Sequence, residues 1–164
     1  MRIDFYIAES EARRFKSSCE AVIRNVGRGT KTATTQACTE ILQESLKQVP
    51  RKTGTLASTG FYEVRRRTNV KGYNYEGIIG YAGMAGSGVS HDRVNPVTGK
   101  PASSYSAVVH EDLAMVHRNG KAKFLEDPVR EYGARNFKRV AETAWRYAIE
   151  STDAGGTMII PQEV

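Results

Sequence analysis

Hydrophobic and polar positions alternate at the start of the chain. Ile3, Phe5 and Ile7 are set against Arg2, Asp4 and Tyr6, and this period of two predicts a short strand over residues 2–7 with one buried face. The period then lengthens. Phe15, Cys19, Val22 and Ile23 recur at helical spacing and predict a helix over 11–26, entered at Ser10 and interrupted by Gly27 and Gly29. Ala37, Ile41, Leu42, Leu46 and Val49 restore the helical stripe after Thr32 or Thr34, and Pro50 ends it. Residues 26–31 read either as a turn between two helices or as a weak point in one long bent helix, and the sequence leaves both open.

After Pro50 the texture changes to short runs of β formers separated by Gly54, Gly60, Gly72, Gly77 and Gly80. Residues 60–68 and 75–81 read as two strands, and their short 69–74 connection makes the pairing antiparallel, because parallel strands need a longer crossover. Residues 83–104 are poor in large apolar side chains and dense in Gly, Ser and Pro, which predicts a long projecting loop or arm with Arg93 and Lys100 as its only basic members. Strand character returns at 105–109, and 110–123 reads as a turn-rich connector containing Asn119-Gly120. Val129, Tyr132, Gly133, Phe137, Val140, Ala144, Tyr147 and Ala148 then predict one helix over 126–149, with Pro128 in its first turn, where a missing amide donor costs least. The β-prone residues 157–160 lie in an expected extended tail over 151–164, suited to pairing with a sheet edge on a neighbouring subunit. Together these elements predict an α+β domain spanning 1–164, with an antiparallel β-sheet packed against two or three helices.

Composition narrows the functional classes. A chain of 164 residues with 40% apolar and 26% charged side chains suits one domain and excludes a multidomain enzyme. No run of apolar residues is long enough for a membrane span, and Asp4 and Glu9 argue against a signal peptide. Cys19 and Cys38 fall in helical stretches with no CxxC spacing, so free thiols in a reducing compartment are expected. The net charge of +6 is concentrated before Phe124, because the residues from there on carry five basic against seven acidic side chains. Such an excess attracts nucleic acid or an acidic protein surface, and it also serves solubility alone.

Candidate chemistry is sparse. His110-Glu111 lacks the second His that a zinc-protease helix requires, since position 114 is Ala. His91, His110 and His117 have no ligand-pair spacing, so neither a metal nor a cofactor is expected. The glycines from Gly80 to Gly88 lack the Lys followed by Ser or Thr of a phosphate loop, and Ser87 lacks the flanking glycine of a nucleophile elbow. Adjacent acids such as Glu126 and Asp127 point in different directions on either kind of element and make no acid–base couple unaided. A small hydrolase built on His110, Glu111 and His117 is the weakest reading, and no enzyme is expected. Arg65, Arg66 and Arg67, followed by Lys71, form the densest basic run, suited to phosphate or acidic-partner contact or to a solvated strand end.

Three segments in order carry a family resemblance. A helix runs into Val49, Pro50, Thr53, Gly54 and Leu56, followed by Ser58 and Thr59. Tyr105, Val109 and His110 come next, and then Lys123, Phe124, Leu125 and Pro128 lead into the last helix. In this order, over about residues 32–150, the chain resembles the minor capsid or neck proteins of tailed bacteriophages, the family of tail-completion and head-to-tail connector proteins. Ser106 stands where Ala is usual, and the 83–104 segment is longer than the core pattern needs.

The resemblance implies a structural virion protein, assembled in the host cytoplasm and catalysing no reaction. It implies a homo-oligomeric ring in the neck that joins the portal and head to the tail around the DNA channel. Its partners would be further copies and neighbouring portal, adaptor or tail-tube proteins. Ser87, Val89 and Arg93 in the loop and Met158, Ile159 and Ile160 in the tail are then the expected inter-subunit residues. Arg65, Arg66, Arg67 and Lys71 are the expected contacts with DNA or an acidic subunit, without base readout. The alternative is a non-specific nucleic-acid-binding protein working outside a particle.

Overall fold

One uninterrupted helix of 40 residues, α1 (Glu9–Gln48), dominates the computed structural model, which describes residues 8–67, 74–114, 116–117 and 119–153. The strand expected at 2–7 and the tail beyond 153 lie outside the described residues. Of the two readings left open around 26–31, the continuous helix is the one observed. Its threonines stay helical by donating their hydroxyls to the carbonyl four residues back: Thr30 to Val26, Thr34 to Thr30, Thr35 to Lys31 and Thr39 to Thr35, at 2.9–3.0 Å. Gly27 and Gly29 are buried instead of marking a turn. A helical glycine costs about 0.5–1 kcal/mol relative to alanine, and these two sit on the buried face of α1.

The buried positions of α1 explain what it packs against. Asn25, Gly29, Ala33, Ala37, Ile41 and Ser45 are all buried and lie four residues apart. Four residues turn through about 400°, so this small-residue row drifts about 40° around the helix at each step. The early part faces the last helix and the later part faces the sheet.

That sheet has two antiparallel strands, β1 (Gly60–Arg66) and β2 (Tyr75–Tyr81), in a register running from Gly60 opposite Tyr81 to Arg66 opposite Tyr75. It lies directly on α1. A Cβ added at Gly77 would stand 2.3 Å from Cys38 Sγ, so only glycine allows this approach. The Ser45 and Tyr81 hydroxyls meet at 2.9 Å.

Two departures from the expected elements follow from packing. Residues 105–109 are not a strand: a short 3-10 turn (Ala102–Ser104) leads into helix α2 (Ser106–Glu111). Tyr105 and Val109, one helical turn apart, both pack on the core, and this tertiary contact outweighs the β preference of the valines. The single helix expected over 126–149 is two, α3 (Glu126–Arg135) and α4 (Phe137–Asp153). Asn136, at φ −114°, kinks the path while the Asn136-to-Tyr132 and Val140-to-Asn136 backbone bonds persist at 2.9 and 3.1 Å. The kink buries Tyr132 and Val140 together and leaves Val129 and Phe137, both assigned to the core stripe, half exposed.

Two clusters form the core. Ala33, Ala37, Ile41, Tyr132 and Val140 make one, between α1, α3 and α4. Val49, Leu56, Ala82, Ala102 and Phe124 make the other, below the end of α1, and Leu125 touches both. The fold is thus α+β, with a long helix and shorter helices packed on a two-stranded antiparallel sheet.

Candidate functional site

The turn after α1 is knitted by its own side chains. Gly54 takes φ +77°, which favours glycine, and its carbonyl accepts the Ser58 amide at 3.0 Å. Leu56 is buried, and Thr59 donates to the Leu56 carbonyl at 2.6 Å while accepting the Ala82 amide at 3.1 Å. Thr53 Oγ1 lies 3.0 Å from Thr55 Oγ1 and accepts the Asn95 side-chain amide at 3.2 Å. This last bond ties the 83–104 segment to the body.

That segment is irregular, as its composition predicts, yet it is anchored at several points. Ala85, Asn95 and Ala102 are buried, and the His91 ring stacks on Phe61 with 4.3 Å between centroids. Asp92 accepts the Ser103 amide at 3.0 Å and the Ser103 hydroxyl as well. The hydroxyl contact is the chief reason its carboxyl is held below the usual carboxylate range. Ser87, Val89 and Arg93, the expected inter-subunit residues, are exposed on its surface. Met158, Ile159 and Ile160 lie outside the described residues.

The basic run divides. Arg65 Nε bonds Glu76 Oε2 across the strands at 3.1 Å, and Glu63 on the same face accepts the Ser87 amide at 3.1 Å. Arg66 and Arg67 are exposed at the end of the sheet, and Lys71 lies outside the described residues. The structure therefore brings the three arginines to one sheet end, where Arg65 is paired to Glu76.

The segment before α3 is stapled in the same manner. Phe124, 1% exposed, stands edge-on to Tyr81 and to His110, with centroids 5.2 and 4.9 Å away. Lys123 bonds Glu111 and reaches Glu126 at 2.9 Å, while His110 Nδ1 lies 2.7 Å from Glu111. Lys123, and after it His110, hold the Glu111 carboxyl below its ordinary range, and the two carboxylates raise Lys123. His110 and Glu111 thus belong to a surface polar network with Lys123 and Glu126. Among the described residues no three His, Cys, Asp or Glu side chains gather to hold a metal, and no helix is long and apolar enough to cross a membrane. Tyr132 is pushed up to about 12 by burial first and then by neighbouring Glu40, with no hydrogen bond of normal geometry reaching its hydroxyl among the described residues. Its place in the helix interface makes it a core residue.

Sequence reasoning missed a cavity of about 330 Å³ beside the Thr53–Leu56 turn. Pro50, Leu56, Tyr105 and Val109 supply apolar lining, and Lys52, Lys100 and His117 supply polar edges. These residues are scattered over the chain at no common period, so no spacing signals the site. Compared with known proteins, the chain matches no family model, no curated protein and no solved structure.

Proposed function

We propose that the chain is a structural subunit of a tailed-phage neck, a tail-completion or connector protein that forms a ring between the portal and the tail and performs no reaction. The observation that carries this reading is the amino-terminal half of α1. From Glu9 to Arg24 the helix has hardly a buried side chain among the described residues, and it leaves Phe15 73% and Ile23 54% exposed. An isolated stretch of roughly four turns is marginal in water, and an apolar stripe on it is explained by a partner in an assembly.

The three segments that carry the family resemblance also support it. Val49, Leu56 and Phe124 meet in one core cluster, so the motif residues do structural work. Arg66 and Arg67 are exposed at the sheet end, the kind of side chain that meets backbone phosphates in a DNA channel or an acidic subunit.

Light scattering and negative-stain microscopy over a concentration series, followed by head–tail joining with tail-deficient particles, test the reading. Rings or a large discrete oligomer that completes joining is the expected result. A monomer at all concentrations with no effect on joining overturns it. The second reading, non-specific nucleic-acid binding outside a particle, is favoured only by the exposed arginines. It requires DNA affinity that falls steeply with salt.

A further inference from the structure

The cavity beside the Thr53–Leu56 turn is lined by both apolar and cationic side chains. Pro50, Leu56, Tyr105 and Val109 give it an oily surface of about 330 Å³ capacity. Lys52 and Lys100 also line it, and neither has a carboxylate partner among the described residues. His117 also lines it, and the buried Nε2 of that ring has no hydrogen-bond partner among the described residues. The matching ligand is a short peptide with large aliphatic side chains and a carboxylate a few residues away.

We propose that this cavity receives residues 159–163 of a neighbouring copy of the chain, with Ile159 and Ile160 on the apolar floor and Glu163 between Lys52 and Lys100. The sequence Ile-Ile-Pro-Gln-Glu supplies both halves of the required chemistry. The inference rests on the reading that the chain assembles, and it names one of the contacts.

Chain geometry makes the contact intermolecular. Val140 and Ala144 pack with Ala33 and Ala37, and the Trp145 indole donates to Thr30 Oγ1 at 3.0 Å, so α4 runs antiparallel to α1. At about 1.5 Å per residue, Asp153 lies about 12 Å beyond Trp145, while Pro50 lies about 30 Å from Thr30 in the opposite direction. The cavity is thus about 42 Å from the end of α4. Ile160, seven residues further on, reaches at most about 25 Å even when fully extended. The segment cannot fill the cavity of its own chain, and a second copy must offer it.

The test uses the full chain in two forms, one carrying Thr98→Cys at the cavity edge and the other Ile160→Cys. Mixed under mild oxidation, they are expected to form a 98–160 disulfide, identified by mass spectrometry, which can only join two chains. In parallel, a fluorescent peptide of residues 154–164 is titrated into full-length protein carrying Ile159→Asp and Ile160→Asp, whose own segment cannot compete. Saturable binding is expected, weakened at least about tenfold when the peptide carries the same two substitutions. Lys52→Glu with Lys100→Glu should weaken it several-fold and most clearly at low salt. No cross-link, or equal binding of a scrambled peptide, or affinity indifferent to the lysine changes, overturns the proposal. Rings that form without the cross-link would sink this contact and spare the neck reading, whereas the cross-link without rings would do the reverse.

Discussion

The two halves of α1 are continuous in backbone and opposite in surroundings. From Ala33 to Gln48 the helix buries Ala33, Ala37, Cys38, Ile41 and Ser45 against α3, α4 and the sheet, and Val49 just past its end sits in the lower cluster. From Glu9 to Arg24, among the described residues, no side chain is buried, and the stretch carries the acids of the first turn and the Arg13–Glu9 and Arg24–Glu20 ion pairs at 3.5 and 4.0 Å. Such exposed pairs contribute only about 0.3–0.5 kcal/mol each. The comparison teaches that one half is held by the core, while the other presents an apolar stripe, Phe15, Val22 and Ile23, left exposed among the described residues.

The largest expected effect of breaking the packed half is at its base. Phe124→Ala removes the ring that closes the lower cluster and should cost about 3–5 kcal/mol in urea unfolding. A loss under 1 kcal/mol would mean that this cluster is not the core that holds the end of α1. Gly77→Ala should cost about 1–3 kcal/mol, because the new methyl collides with Cys38 Sγ. Adding Cys38→Ala should recover part of that loss, and strict additivity of the two changes would show that the sheet is not seated on that thiol.

The two thiols read the same contrast without altering the core. Burial pushes the Cys38 thiol up and encloses it, while Cys19 is only half-buried. One thiol should therefore react promptly with a disulfide reagent, and the second should react only after unfolding. Two equally fast thiols would erase the distinction between the halves.

A smaller effect belongs to the anchored loop. Because Ser103 lowers the Asp92 carboxyl in the folded chain, its contribution is present above the ordinary carboxylate pKa of about 4 and is lost as pH falls through the lowered value. Asp92→Asn should remove that acid dependence and increase amide exchange in the loop. Smallest of all, Phe15→Ser with Ile23→Ser should change the stability of the isolated chain by no more than about 0.5 kcal/mol while reducing assembly. A large loss of monomer stability would place those side chains in an intramolecular contact.

Much of the architecture was legible in the pattern of residues. The hairpin strands were expected to end at 68 and 81 and end at Arg66 and Tyr81, and the burial of Leu56 and Phe124 agrees with their place in the motifs. The readings that failed share a cause. Residues 105–109 look like a strand because Val108 and Val109 favour one, but whether a β-branched pair becomes strand or helix depends on what stands opposite. Here the neighbours of Tyr105 and Val109 in the lower cluster decided for the helix. The cavity was invisible for a related reason: Lys52, Lys100, Val109 and His117 become neighbours only when three connections fold together.

Local periodicity and turn chemistry, then, settled which stretches carry an apolar face and where Pro50 and Gly54 redirect the chain, because those effects act over a few residues. Tertiary contact settled the rest. The continuity of α1 through Gly27 and Gly29, the kink at Asn136 and the seat of Gly77 on Cys38 depend on atoms far apart in sequence, and packing energy between such atoms exceeds the small differences in local propensity.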